Sequence, residues 1–279
     1  MFINIKGELV DLKQPKVMGI LNLTPDSFFQ GSRKQTEKEI IERVQQIREE
    51  GADMIDVGGY SSRPNAKYVD EKEEIERLKF GLAILFREFP EAIVSVDTFR
   101  SEIARYCVET FGVAIINDIS AGELDKKMFD TIADLRVPYI MMHMKGSPQT
   151  MMQHTVYDNM MQEIFLYFSE KINTLHQKGV NDIILDPGFG FSKNTEQNYY
   201  LMKVLKEFRI FELPILVGIS RKTMIRDLLD CSVDTALNGT SVLNTISLMG
   251  GASILRVHDV KEAVECVKIY NKVKTSDAF

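Results

Sequence analysis

Eight short apolar runs, each closing on a polar residue or a glycine, set the tightest limit on what this chain can become. They are V-M-G-I-L ending at Asn22, M-I-D-V ending at Gly58-Gly59, I-V-S-V ending at Asp97 and V-A-I-I ending at Asn117-Asp118, then Y-I-M-M ending at His143, D-I-I-L ending at Asp186, P-I-L-V-G-I ending at Ser220 and S-I-L-R-V ending at His258. Each is short, often β-branched and lacks clean alternation, the pattern of strands covered on both faces. Helical stretches lie between them. Thr36–Glu50 carries Ile40, Ile41, Val44 and Ile47 at helical spacing, with Gly51 as a stop signal. Further helices are expected over 71–88, 101–110, 126–135, 158–178, 196–208, 222–229, 235–249 and 260–272. Eight strands alternating with helices predict one α/β domain over residues 1–279, a closed (β/α)8 TIM barrel. The competing architecture is an open doubly wound sheet. It usually carries a glycine fingerprint after its first strand, where this chain has N-L-T-P-D-S-F-F. The first dozen residues, with Gly7 between two alternating segments, predict a short N-terminal hairpin at the barrel bottom.

In such a barrel the C-terminal strand ends form the active face. Asn22, Asp56, Asp97, Asn117, Asp186, Lys222, Arg256 and His258 would converge there. A single buried polar group is ordinary, but eight at one end each need a partner, and packing alone does not supply a reason for them. Asp97, Asn117 and Asp186 offer acceptors suited to a flat, NH-rich heterocycle, and Lys222 adds a cationic donor. Arg256 and His258, two apart on the last strand, point to one side and with Asn22 could hold a phosphate or pyrophosphate. For Arg256 the alternative is an ion pair with a neighbouring carboxylate, and for His258 a hydrogen-bonded loop histidine.

Charge narrows the classes of partner. Thirty-four Lys and Arg against 40 Asp and Glu leave a formal charge of −6, which argues against a nucleic-acid or anionic-membrane binder while allowing a small anionic ligand. Three scattered cysteines, Cys107, Cys231 and Cys266, make neither a disulfide framework nor a zinc site. With no basic-then-apolar leader and no apolar run near the ~18 residues of a membrane span, a cytoplasmic protein is expected. Two early loops, 22–35 and 58–69, exceed the usual ~2–6 residues of βα loops and read as lids.

The ordered blocks M-G-I-L-N-L-T-P-D-S-F (18–28), G-A-D-M-I-D-V-G-G (51–59), S-x-R-P (61–64), S-V-D-T (95–98), I-N-D-I-S (116–120), M-H-M-K-G-x-P-x-T-M (142–151), D-P-G-F-G-F-x-K (186–193), G-I-S-R-K (218–222) and R-V-H-D-V (256–260) resemble the dihydropteroate synthase family of pterin-binding barrels, in register from about Lys16 to Val260. The resemblance implies condensation of 6-hydroxymethyl-7,8-dihydropterin pyrophosphate with p-aminobenzoate to give 7,8-dihydropteroate and pyrophosphate, in folate biosynthesis. It implies a pterin pocket of Asp97, Asn117, Met141, Asp186, Gly218 and Lys222. Asn22, Arg256 and His258 would hold the pyrophosphate, with Mg²⁺ at Asn22. Thr24, Pro25, Phe28, Ser62, Arg63, Pro64, Phe191 and Ser220 would frame the p-aminobenzoate site and its lids, where sulfonamides would compete. The catalytic group would be Asp97, Lys222, Arg256 and His258. A homodimer through the last helices is also implied.

The chain departs from the family pattern in its two early loops. Tyr60 stands where Glu or Gln is more common, Asn65 where Gly is common, and Phe29, Gln30 and Ser32 differ in the first loop. These changes lie on the arylamine side. A methyltransferase barrel would not need S-x-R-P or R-x-H. A degenerate, non-enzymatic paralogue would bind the pterin without turnover. A sugar isomerase would need an acid–base pair that the strand ends do not offer.

Overall fold

The computed structural model describes residues 1–23, 33–60 and 68–276, the side chains of 33–35 excepted. The hairpin is β1 (Phe2–Ile5) and β2 (Glu8–Asp11), antiparallel around Gly7. The barrel strands follow as β3 (Lys16–Asn22), β4 (Met54–Gly58), β5 (Val94–Asp97), β6 (Ile115–Asp118), β7 (Tyr139–Met142), β8 (Ile183–Asp186), β9 (Leu216–Val217) and β10 (Ile254–Val257). All pairings among them are parallel, in the spatial order β8-β7-β6-β5-β4-β3-β10-β9. A parallel bridge between Leu185 and Ile215, with Leu185 N donating to Pro214 O at 2.9 Å, joins β8 to β9 and closes the ring. The barrel expected from the alternation of strands and helices is therefore the observed one.

The helices are α1 (Arg33–Glu49), α2 (Glu71–Glu88), α3 (Ser101–Phe111), α4 (Met128–Leu135), α5 (Met160–Gln177), α6 (Thr195–Lys203), α7 (Thr223–Leu229), α8 (Leu237–Met249) and α9 (Val260–Thr275). Their ends have local causes. Gly51 follows α1 at φ +94°, a conformation that favours glycine. Asp70 caps α2 by accepting from Glu73 N, and Asn194 with Gln197 forms a capping box on α6. The single helix expected over 196–208 is instead α6 followed by a 3-10 segment, Leu205–Phe211. Three residues per turn eclipses positions 208 and 211, and this sets Phe208 and Phe211 together against Phe165 and Phe168, with ring centroids 5.2–6.1 Å apart.

Strand alternation sorts the side chains into two cores. The outward residues, among them Val57, Val96, Ile116, Met141, Leu185 and Val257, pack under the helices. The inward residues at the bottom, Met18, Met54, Ile115, Ile140, Ile184, Leu216 and Ile254, form a separate cluster plugged from below by Ile3, Ile5 and Leu12 of the hairpin. The lower barrel is thus filled with apolar side chains, and the polar residues are confined to the upper end.

Candidate active site

The inward positions above the plug are Asp56 and Gly58 on β4, Ser95 and Asp97 on β5, Asn117 on β6, Asp186 on β8 and Arg256 on β10. Register brings them to one level: Gly58 pairs with Asp97, Asp97 with Asn117, and Asn22 with Gly58. Gly58 sits at the rim between Asp97 and Asn22, with room for no more than ordinary contact. A Cβ there would lie 3.7 Å from Asp97 Cβ and 3.8 Å from Asn22 Oδ1.

Asp56 is the hub. It is fully buried, and its Oδ2 accepts from Arg256 Nε at 2.6 Å and from Asn117 Nδ2 at 3.1 Å. A carboxylate can only accept, so the Asn117 amide must turn its NH2 toward Asp56, which leaves its carbonyl for a ligand. Among the described residues Asp56 Oδ1 is buried without a hydrogen-bond partner, as is Ser95 Oγ. The two residues are register partners, so a polar pocket floor sits directly above the apolar plug.

Arg256 Nη2 donates to Asp97 Oδ2 at 2.9 Å. Burial raises the Asp97 carboxyl to about 7. Arg256 opposes that rise, while Asp56, Glu74 and Asp118 add to it. Burial alone would weaken the guanidinium, but Asp56 and Asp97 hold it above its usual value. Asp186 is raised by burial against the pull of Lys222, and its Oδ1 accepts from Gly188 N at 2.8 Å. Lys222 is brought down to about 8 by burial, with Asp186 opposing. Its Nζ donates to Phe189 O and lies 4.7 Å from the centroid of the Phe191 ring.

An apolar wall of Phe99, Ile119, Met142, Met144, Met151 and Phe191 stands beside these groups. The turn that carries Phe191 is fixed from behind. Lys193, 2% exposed, reaches His143 Nδ1 and Gly188 O at 3.0 Å and Phe191 O at 3.1 Å. Gly188 has φ +73°, and a Cβ there would fall 2.0 Å from the His143 carbonyl oxygen, so only glycine fits. The result is a cleft with three acid or amide acceptors, two cations and one apolar wall.

The sequence model of the pterin binding enzyme family matches residues 18–258. The chain belongs to that family. It is 40% identical over 266 residues to the dihydropteroate synthase of Escherichia coli strain K12, covering 95% of this chain and 93% of that protein. A crystal structure of the Yersinia pestis dihydropteroate synthase with a sulfonamide drug complex superposes with a TM-score of 0.91 at 36% identity, covering 99% of this chain and 100% of that one. The Xanthomonas albilineans dihydropteroate synthase with 4-aminobenzoic acid superposes at 0.90 with 33% identity, covering 99% of each.

Within this pterin-binding barrel the expected site residues are mostly gathered. Asn22, Asp97, Asn117, Asp186, Gly218, Lys222 and Arg256 stand at the upper end, and a Cβ on Gly218 would lie 3.8 Å from Arg256 Cβ. Phe191 lines the apolar wall. Ser220 Oγ accepts from His258 N at 3.2 Å, and the His258 carbonyl accepts from Arg43 Nη2 at 2.7 Å. Lys222 is not a strand residue but the N-cap of α7. Arg256 makes the carboxylate ion pair that stood as the alternative to phosphate binding. Met141 does not line the pocket: it packs in the outward core under the helices, and its neighbour Met142 belongs to the wall with Phe191. The reason is strand parity, since Ile140 and Met142 face inward on β7 and Met141 must face out. Thr24, Pro25, Phe28, Ser62, Arg63 and Pro64, with the variant Phe29, Gln30, Ser32 and Asn65, lie outside the described residues.

Two members were not assigned from sequence. Asp56 was visible as a strand-end acid, but nothing in the sequence said that it anchors both Asn117 and Arg256. Lys193 was visible only as the last letter of D-P-G-F-G-F-x-K.

Proposed function

We propose that this chain is a dihydropteroate synthase that joins 6-hydroxymethyl-7,8-dihydropterin pyrophosphate to p-aminobenzoate, releasing pyrophosphate and 7,8-dihydropteroate. The observation that carries the reading is the Asp56-centred arrangement. It turns the Asn117 carbonyl toward the cleft beside the Asp97 and Asp186 carboxylates, with Lys222 opposite. Three acceptors and one cationic donor match the N–H groups and the remaining acceptor edge of a pterin.

An arylamine is a weak nucleophile, so pyrophosphate departs first and the amine attacks second. Asp97, as an anion near the ring, stabilises the cation left on the exocyclic methylene. Lys222 orients the ring from its other edge. Arg256 lies at the last strand end and, with His258 and Asn22, meets the leaving pyrophosphate. Its Nε and Nη2 donate to Asp56 and Asp97, and Nη1 would meet the phosphate. The wall of Phe191, Met142 and Met144 offers the flat apolar surface an arylamine needs, with Ser220 beside it.

Asn22 suits Mg²⁺ as a single hard oxygen ligand at the rim, its Oδ1 facing the space that Gly58 leaves open. Among the described residues no group of three His, Cys, Asp or Glu side chains could hold a metal, so the remaining ligands would be phosphate oxygens and water. When bound, the ion supplies positive charge to the leaving pyrophosphate.

The proposal extends to a cytoplasmic homodimer. Val242, Ile246 and Met249 on α8 and Ile269 and Val273 on α9 are exposed apolar residues on two helices that pack together, a surface that a second copy would cover. No helix among the described residues is long and apolar enough to cross a membrane. The test is mass detection of 7,8-dihydropteroate from the two substrates with Mg²⁺. Pterin binding without product would favour the degenerate paralogue.

A further inference from the structure

Tyr60 departs from the family pattern, and its surroundings give it a task. It directly follows Gly58-Gly59 at the end of β4. Its backbone carbonyl lies 3.7 Å from where a Cβ on Gly58 would sit, the same distance as Asp97 Cβ, so Tyr60 stands at the rim of the site. The residue is 7% exposed. Its ring meets Phe99, two residues past Asp97, edge-on with centroids 5.3 Å apart. Phe99 packs on the wall that contains Phe191, Met142 and Met151. Tyr68 also meets Tyr60 edge-on, at 6.5 Å.

Two further groups fix the ring. The Arg100 guanidinium lies 4.9 Å from the Phe99 centroid, 5.6 Å from that of Tyr60 and 5.8 Å from that of Tyr68. Arg100 is itself tied to the fully buried Glu74 of α2 and to Val69 O at 2.8 Å. The Tyr60 hydroxyl then accepts from Gln149 Nε2 at 2.5 Å, across the mouth, in the connection after β7. Gln149 is exposed, and its own connection is held at one end by Ser192, whose Oγ takes Lys145 N and donates to Lys145 O at 2.8 Å each. The Tyr60–Gln149 bond holds the same connection further along, four residues past Lys145. A Glu or Gln side chain at position 60 would lack the ring faces that Phe99, Tyr68 and Arg100 enclose.

We propose that Tyr60 is a positioning residue for the arylamine: through its hydroxyl it ties the connection after β7 to the end of β4, and so sets how far the apolar wall of Phe99, Met151 and Phe191 stands from the cleft. The proposal rests on the synthase reading, because the wall is assigned to p-aminobenzoate there. The pterin contacts of Asp97, Asn117, Asp186 and Lys222 do not pass through this tie, so only one of the two substrates should register its loss.

The experiment compares wild type, Tyr60→Phe, Gln149→Ala and the double variant. Tyr60→Phe keeps the ring and removes only the hydroxyl, so the fold is preserved. Each single change is expected to raise the KM for p-aminobenzoate roughly three- to tenfold, the scale of one lost hydrogen bond, with the KM for the dihydropterin pyrophosphate unchanged. The double variant should be no worse than either single one, since both remove the same bond. Amide hydrogen exchange over 145–153 should rise in each, and this readout needs no turnover. An unchanged KM for p-aminobenzoate, equal shifts for both substrates, or additive effects would overturn the proposal. Faster exchange with no wild-type turnover would confirm the tie but refute the synthase reading, and with it the arylamine role.

Discussion

Arg256 holds Asp97 at 2.9 Å while its Nε holds Asp56 at 2.6 Å, so the free site carries its own counter-ion. One guanidinium gives the two carboxylates different places: it anchors the fully buried Asp56 and holds Asp97 at the rim. Several expectations come from this one arrangement.

Asp97→Asn should lower kcat about 10²- to 10³-fold, the scale of removing one preorganised charge contact, with an unchanged circular dichroism spectrum. A folded variant with wild-type kcat would remove Asp97 from the mechanism.

The pH profile of kcat/KM should be a narrow bell. Asp97 must be ionised and titrates at about 7, so activity rises with pH through that value. Lys222 must be protonated and titrates at about 8, so activity falls above it. Stability runs with the opposite sign on the acid side. The Asp97 carboxyl is raised above its unfolded value of 3.8, so between about pH 4 and 7 the folded state binds more protons than the unfolded state, and this group costs stability as pH rises. The Tm of Asp97→Asn relative to wild type should therefore improve between pH 5 and pH 8, as read by scanning fluorimetry.

Arg256→Ala should raise the KM for the pyrophosphate substrate more than that for p-aminobenzoate. It should also cost about 3 kcal/mol of stability in urea unfolding, because the fully buried Asp56 and the partly buried Asp97 lose their partner. Equal KM effects on the two substrates would count against a phosphate contact.

Met141→Ala and Met142→Ala separate the two faces of β7. The first should cost about 2–5 kcal/mol of stability with both KM values unchanged. The second should raise KM with a smaller stability loss. The reverse assignment would place Met141 in the cleft.

Much of this was legible in the sequence because strand-end polarity is a strong signal. Asp97, Asn117, Asp186 and Arg256 each end an apolar run, and a barrel gives all such ends one destination. Met141 was misplaced because a run of two methionines before His143 hides the strand parity that only pairing with β6 and β8 fixes. The break after α6 was hidden because phenylalanines at 208 and 211 suit a helix equally well until Phe165 and Phe168 demand them on one face. The role of Tyr60 was out of reach for a different reason. Its partners Phe99, Arg100 and Gln149 lie 39, 40 and 89 residues away, and spacing within the sequence carries no trace of such distances.

The most direct test of the central claim is pyrophosphate release from the dihydropterin pyrophosphate with Mg²⁺, followed with and without p-aminobenzoate in wild type and in Asp97→Asn. The account predicts pyrophosphate release in wild type, with dihydropteroate formed only when p-aminobenzoate is present, and both lost in the variant. No dihydropteroate in the presence of p-aminobenzoate, or equal pyrophosphate release in the two proteins, would contradict it.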